Sequence, residues 1–337
     1  MKSVLLKSPG GFNNIYVKES VNPPQPGPGQ IKVTIKASSL NFHDFLVANG
    51  TISTADNRIL MSDGAGIVEA VGDGVSEFQV GDNVVSCFFP QWPAGPAYDP
   101  VGSFLNTPGD GIDGMASEIV VREANAFTHA PKGWSHAESA TITTAGLTAW
   151  RALVGDGQIK SGDTILTLGT GGVSIAAIQI AKMLGAKVIV TSSSDEKLKR
   201  AQELGATYCI NYKTNQDWSQ KVMEFTNGKG VDHVIELGGP GTLEQSIRAV
   251  RVGGHISLIG VLTGTQGEVP TALLMGKQTR LQGLIVGSRQ QQKDYIAALE
   301  ANDIKPVIDS IYRFDQLADA FSYQETGNHF GKICLEW

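Results

Sequence analysis

The sequence has little that would place it outside the cell, in a membrane or on nucleic acid. Its three cysteines, Cys87, Cys209 and Cys334, are scattered. They make no disulfide framework and supply no closely spaced thiolates for a structural zinc loop. No stretch is apolar over the roughly 18 residues that a membrane helix needs. The opening MKSVLLKSPGGFNN has too short an apolar run for a secretory leader. Basic residues number 27 against 33 acidic ones, a net charge of −6, so there is no positive footprint for nucleic acid or anionic lipid. These absences predict a protein of the reduced cytoplasm with a small-molecule partner.

What is present suffices for real cores: 41% of the residues are apolar, and 337 residues suggest about two domains. Residues 1–124 read as β and turn. Strand-like runs at Ile31 to Ala37, Gly66 to Val71, Asn83 to Cys87 and Glu118 to Arg122 are separated by PPQPGPGQ, VGDGVSEFQVGD and NTPGDGIDG. That is the pattern of a rolled-up antiparallel domain. From about residue 125 the composition shifts, and 125–287 alternates strand with helix. TILTL (164–168) precedes a helix with Val173, Ala176, Ala177, Ile180 and Leu184 at helical spacing, ended by Gly185. KVIVT (187–191) precedes a second helix, opened by Ser193 and Glu196 at capping-box spacing and closed by Gly205. TYCIN, HVIEL, HISLIG and LQGLIVG (281–287) continue the strand series. The order predicts an α/β fold with a doubly wound parallel sheet, a Rossmann domain. Residues 288–337, with helical DYIAALEAN and a final strand KICLE, are expected to return to the first domain.

TILTL runs straight into GTGGVS, so Gly169, Gly171 and Ser174 take the three positions of G-x-G-x-x-G between a strand and a helix. The first glycine permits the tight turn, the second lets a pyrophosphate approach the backbone, and the third position needs only a small side chain. Gly169, Thr170, Gly171, Gly172 and Val173 are therefore the candidate pyrophosphate turn, lying at a positive helix end. An NAD site places Asp or Glu about 20 residues further on, for the ribose 2′-hydroxyl. This chain has Ser192 and Ser193 there, with Lys197 following, which favours a 2′-phosphate and hence NADP(H). Lys197 reads equally well as part of a solvated helix face. Tyr212, after the third strand, is a candidate to pack on the adenine ribose. Gly238, Gly260 and Val261 follow later strands, where ligands sit in open α/β sheets.

SSLNFHD (38–44) places Asn41, His43 and Asp44 where a strand should end. Together with SDGAGIVEAVG, VGDNV, ATITTAGLTAW, TSSSDEK, VIELGGPGTL, GGHISLIG and HFGKICL, it makes nearly the whole chain resemble the medium-chain dehydrogenase/reductase superfamily, most closely its zinc-independent quinone-oxidoreductase-like (zinc-type alcohol dehydrogenase-like) branch. The resemblance implies a GroES-like, mostly β catalytic domain beside the Rossmann domain, with the active site in the cleft between them. Zinc members of the superfamily use a Cys, a His followed by Glu, and a later Cys. By motif these positions fall on Asn41, Ser62 with Asp63, and about Thr144. Asn, Ser and Thr are poor ligands for Zn²⁺, so no metal is expected.

Without a Lewis acid, hydride transfer is easiest to a conjugated acceptor, a quinone or an α,β-unsaturated ketone or aldehyde. In that scheme Asn41 either donates its amide to the substrate carbonyl or fixes the nicotinamide ribose. His43 either delivers the completing proton or is a loop histidine, with solvent as the proton source. Asp44 reads best as a cap on FLVANG. The resemblance also implies that Thr148 faces the nicotinamide, Val286 flanks its carboxamide and Lys332 reaches the cofactor. Phe88, Phe89, Trp92 and Tyr98, in the long 88–114 segment, either line an apolar pocket or pack the segment to the body. Rival readings are an alcohol or aldehyde dehydrogenase of the same superfamily and a non-catalytic, crystallin-like NADPH-binding protein. A homodimer through the edge of LQGLIVG, or a tetramer, is expected from the family.

Overall fold

Alternation from Ile31 to Ala37 produces a ten-residue strand, Gln30–Ser39, whose Ile31, Val33 and Ile35 side chains are buried. The computed structural model describes residues 1–337, the side chain of Pro100 excepted. It forms two compact units: residues 1–147 with 286–337, and residues 148–285. In chain order the strands are β1 (Lys2–Leu6), β2 (Ile15–Glu19), β3 (Gln30–Ser39), β4 (Arg58–Ile59), β5 (Ala65–Val71), β6 (Asn83–Ser86), β7 (Ile119–Glu123) and β8 (Phe127–His129). The second unit supplies β9 (Thr164–Leu168), β10 (Lys187–Ser192), β11 (Tyr208–Asn211), β12 (Val231–Glu236), β13 (Val250–Leu258) and β14 (Arg280–Gly283). The chain then returns with β15 (Ile308–Arg313) and β16 (Lys332–Glu336).

In the first unit β2-β1-β4 make a small sheet, and β15-β16-β3-β5-β6-β8 make a larger one, with β7 also paired to β3. The returning strand lies antiparallel on β3, pairing Cys334 with Ser39 and Leu335 with Ser38. Apolar faces of these strands close over Leu40, Val47, Phe127, Phe314 and Phe321 in one core. The first boundary differs from the compositional one at 124/125. Strand β8 pairs with β6, and the helix His136–Ala140 buries Ala137 and Ala140 against Ala37 and Ala65. Backbone pairing and packing therefore keep 125–147 in the first unit. At the other end the division falls at 285/286 in place of 287/288.

The second unit holds six parallel strands in the order β11-β10-β9-β12-β13-β14. This is the doubly wound order of dinucleotide-binding domains. Leu166, Ile189, Val234 and Ile256 form its centre. Two sequence readings shift. Ser194, not Ser193, caps the helix Asp195–Leu204, accepting from the Lys197 amide at 3.3 Å. The last strand stops at Gly283, before Val286 enters the left-handed region at φ 47°, a conformation a strand cannot hold. No helix among the described residues is long and apolar enough to cross a membrane.

His233 and His255 pair in register on β12 and β13 and are buried, each with an unpartnered Nδ1. Burial holds both pKa values down, His255 to about 3. Unfolded histidine titrates near pH 6.5, so the unfolded state binds more protons below that value. Stability from this pair is present above about pH 6.5 and is lost as pH falls toward 3. The urea midpoint of the second unit is expected to fall between pH 7.5 and pH 5, and His255→Gln to flatten that slope. Parallel slopes for the two proteins would refute the assignment.

Candidate active site

The end of β3 builds a buried polar cluster in the first unit. Asn41 opens the helix Phe42–Ala48 through its backbone carbonyl, which accepts from Phe45 N at 3.0 Å, while its side chain makes no cap. The amide instead points inward. Its Nδ2 donates to Asp44 Oδ2 at 3.0 Å and to Ser39 O at 3.3 Å, and its Oδ1 accepts from Lys332 Nζ at 2.6 Å. Both ends of the Asn41 amide are therefore engaged within the protein, and the donation to a substrate carbonyl expected of it has no free N–H behind it. Asp44 is not a cap either. Its carboxylate accepts from Ser62 N at 2.8 Å and Ser62 Oγ at 3.1 Å, tying the helix to the segment that leads into β5.

Asp63 receives Ser39 Oγ at 2.5 Å and Thr144 Oγ1 at 2.6 Å. Thr144 reaches it from a π-helical turn, Ile142–Gly146, a widened geometry often found at functional sites. Lys332, the first residue of β16, also donates to the Leu40 carbonyl, and its ammonium lies 3.9 Å from Asp63 Oδ2. Burial raises the Asp63 pKa to about 6, opposed most by the Lys332 ammonium. Burial raises that of Asp44 and lowers that of Lys332, whose ammonium is held by Asp63. One buried cation thus sits among two buried carboxylates, each with further donors.

These residues do not fit a zinc ion. The three positions that carry Cys, His and Cys in zinc enzymes hold an amide and two hydroxyls, already bonded to Asp44 and Asp63. The positive charge is the Lys332 ammonium, and Zn²⁺ requires thiolate, imidazole or carboxylate donors. Among the described residues, no three His, Cys, Asp or Glu side chains converge as metal ligands.

Beside this cluster the His43 ring stacks on Phe104 at 4.9 Å and meets the Phe88 edge at 5.5 Å. Phe88, Phe89 and Trp92 are buried, so they pack the 88–114 segment to the body, whereas Tyr98 is exposed.

In the second unit the nucleotide candidates gather at the carboxyl ends of the parallel strands. Gly169 takes φ 78° directly after β9, a turn that favours glycine. Ser174 is buried and donates to Leu168 O at 2.8 Å, locking helix Gly172–Met183 onto the strand it follows. The first turn of that helix carries N–H groups without intrahelical acceptors. At the end of β10, Ser192 Oγ accepts from Ser194 N at 3.3 Å, Ser193 is half-buried beside it, and the nearby acid Asp195 is engaged by Asn211 at 2.7 Å. Tyr212 is exposed after β11, while Gly238, Gly260 and Val261 follow β12 and β13. Thr148, in contrast, is buried within a helix, and Val286 and Lys332 belong to the first unit. The nitrogen of Lys332, expected on the cofactor, is turned to Leu40 and Asn41.

Sequence reading missed Glu236. Fully buried at the end of β12, it accepts from Gly238 N at 2.8 Å, Gly239 N at 3.0 Å and Thr242 Oγ1 at 2.5 Å, and so shapes the glycine loop. An acid ending the apolar run HVIEL, just before GGPGT, was the signal.

Comparison with known proteins agrees with this architecture. Residues 27–132 match the alcohol dehydrogenase GroES-like domain, and residues 172–301 match the zinc-binding dehydrogenase domain. A zinc-type alcohol dehydrogenase-like protein of Schizosaccharomyces pombe is 40% identical over 97% of this chain and 96% of its own. A crystal structure of an NAD-dependent alcohol dehydrogenase superposes with a TM-score of 0.90 at 34% identity, covering 100% of both chains. A quinone oxidoreductase of Pseudomonas syringae pv. Tomato DC3000 gives 0.83 at 28% identity, covering 100% of this chain and 99% of that one. The chain belongs to the medium-chain dehydrogenase/reductase superfamily, as an oxidoreductase of its zinc-type alcohol dehydrogenase-like branch.

Removing Lys332 would leave Asp44 and Asp63 buried without their cation. Lys332→Met is expected to cost about 3–5 kcal/mol at pH 8. A carboxylate whose folded pKa lies above its unfolded value favours the folded state when protonated, so the deficit shrinks as pH falls through about 6. Denaturant titrations of both proteins at pH 8 and pH 5 check this. A deficit that grows on acidification would contradict it.

Proposed function

We propose that this protein is an NADP(H)-dependent reductase that transfers hydride to a conjugated carbonyl, a quinone or an α,β-unsaturated ketone or aldehyde, without a zinc ion. The observation that carries the reading is the chemistry of the Asn41, Ser62 and Thr144 positions. There an amide and two hydroxyls, bonded to Lys332, Asp44 and Asp63, stand where zinc members of the family carry their metal ligands. A simple aldehyde or ketone needs strong polarisation of its C=O, normally by a metal or a placed acid. A conjugated acceptor activates its own electrophilic carbon, so orientation and one proton suffice. Bound NADPH supplies the hydride. Asn41 and Asp44 act as positioning residues that fix the start of the helix carrying His43, and His43 provides the proton.

Preference for NADP(H) is supported by the end of β10. The hydroxyls of Ser192 and Ser193 stand where an NAD site has a carboxylate, and Asp195 is held by Asn211. A carboxylate there would repel a 2′-phosphate.

The test is steady-state oxidation of NADPH and NADH by metal-free protein, with quinones, enones, simple aldehydes and ketones as acceptors. Turnover of quinones or enones with NADPH, indifferent to chelators, is expected. Activity confined to simple alcohols or aldehydes and restored by zinc would refute it. Ser193→Asp is expected to reverse the ratio of kcat/KM for NADPH over NADH by at least about tenfold, or 1.4 kcal/mol. An unchanged ratio would remove Ser193 from the site.

A further inference from the structure

The 88–114 segment brings an acidic residue to His43. Asp110 Oδ2 lies 3.2 Å from His43 Nε2, with both side chains largely shielded, at 12% and 16% exposure. Nε2 is sealed from solvent and has no aligned hydrogen bond in this state. The pair is at ion-pair distance, with the carboxylate oxygen off the N–H axis. The ring plane is already fixed by stacking on Phe104, with 14° between the planes, and by the edge contact with Phe88.

The backbone around Asp110 is pinned on several sides. Its N–H donates to Thr107 O at 3.2 Å, and its carbonyl accepts from Thr54 Oγ1 at 2.7 Å. Arg58 donates to the next carbonyl, that of Gly111, at 3.2 Å and pairs with Asp113 at 3.1 Å. Gly109 adopts φ 84°, and a Cβ there would lie 2.8 Å from Met61 N, so the turn is pressed against the backbone next to Ser62. Of the charged groups around the ring, Asp44 is turned to Ser62 and Asn41, and Arg58 to Thr54, Gly111 and Asp113. Asp44 also interacts electrostatically with His43, but Asp110 is the carboxylate at ion-pair distance from the imidazole.

We propose that Asp110 is the positioning residue of a carboxylate–imidazole pair, holding His43 through Nε2 and leaving Nδ1 as the nitrogen that exchanges a proton with substrate. The proposal rests on the reduction assigned above. Hydride adds to the β-carbon of an enone, or to a quinone, and the carbon–carbon or carbonyl π-electrons shift to oxygen. The resulting enolate or quinol anion takes one proton from His43 Nδ1–H, and solvent returns that proton to the ring. Asp110 keeps its charge throughout and stabilises the imidazolium before transfer.

Two measurements test it. The first needs no substrate: ¹⁵N–¹H long-range NMR of the imidazoles, with His43 assigned by the signal lost in His43→Asn. The expected wild-type result is a proton held on Nε2, shifting toward a free tautomer mixture in Asp110→Ala. A His43 ring that is already a free mixture, or that is unmoved in the variant, would overturn the pairing. The second is kinetic. Asp110→Ala is expected to lower kcat about tenfold or more with KM changed less than about threefold, and to enlarge the solvent deuterium effect on kcat. Asp110→Asn, which keeps an acceptor, should recover part of the loss. A change in KM alone would mean that Asp110 only shapes the loop. If the wild type reduces no conjugated carbonyl, the reaction assigned above fails, and the NMR result by itself decides the pair.

Discussion

A buried ammonium organises the first unit. Lys332 comes from β16, yet its nitrogen reaches the Leu40 carbonyl and the Asn41 side chain at the far end of the sequence. Taking a charge out of water costs several kcal/mol, and the cost is offset only when opposite charges and hydrogen bonds surround it. Asp63 and Asp44 supply the charge, and Ser39, Ser62 and Thr144 complete the carboxylates' bonds. The partners come from five segments, so the cluster fixes β3, the helix after it, the approach to β5, the π-helical turn and β16 at once. His43, in the first turn of that helix, inherits its position from this arrangement.

Much of the nucleotide-binding unit was legible because its signals are local. Strand TILTL, the glycine turn and the helix after it are contiguous, and their order alone determines a parallel sheet. Errors there were of one residue, at the Ser194 cap, or at the ragged end of β14. The boundary near 125 misled because a shift in composition is no measure of pairing. What keeps 125–147 in the first unit is β8 against β6, a contact invisible without the fold.

The buried polar cluster was legible in membership but not in connection. Asn41, His43, Asp44, Ser62, Asp63 and Thr144 all stand out in the sequence, and the residue types of Asn41, Ser62 and Thr144 argue against zinc. Nothing in the sequence said that the Asn41 amide would be engaged at both ends, or that Lys332 would close the cluster instead of reaching a cofactor. Those facts depend on a strand pairing between residues about 300 positions apart, which no periodicity reports. Asp110 was unreadable for a similar reason: it lies at the tip of a glycine-rich turn without alternation or helical spacing.

The interleaving of β16 with β3 also bears on how the chain is made. Residues 148–285 form a continuous stretch with its own parallel sheet and core. Domains of that kind fold as units while synthesis proceeds from the N-terminus. The larger sheet of the first unit cannot close until residues 308–336 have left the ribosome, because β15 and β16 complete it. Until then the end of β3, Ala37 to Ser39, lacks its partner on that edge, and Asp44 and Asp63 lack their cation. The solubility of the nascent protein therefore depends on its last strand arriving before that edge finds another partner.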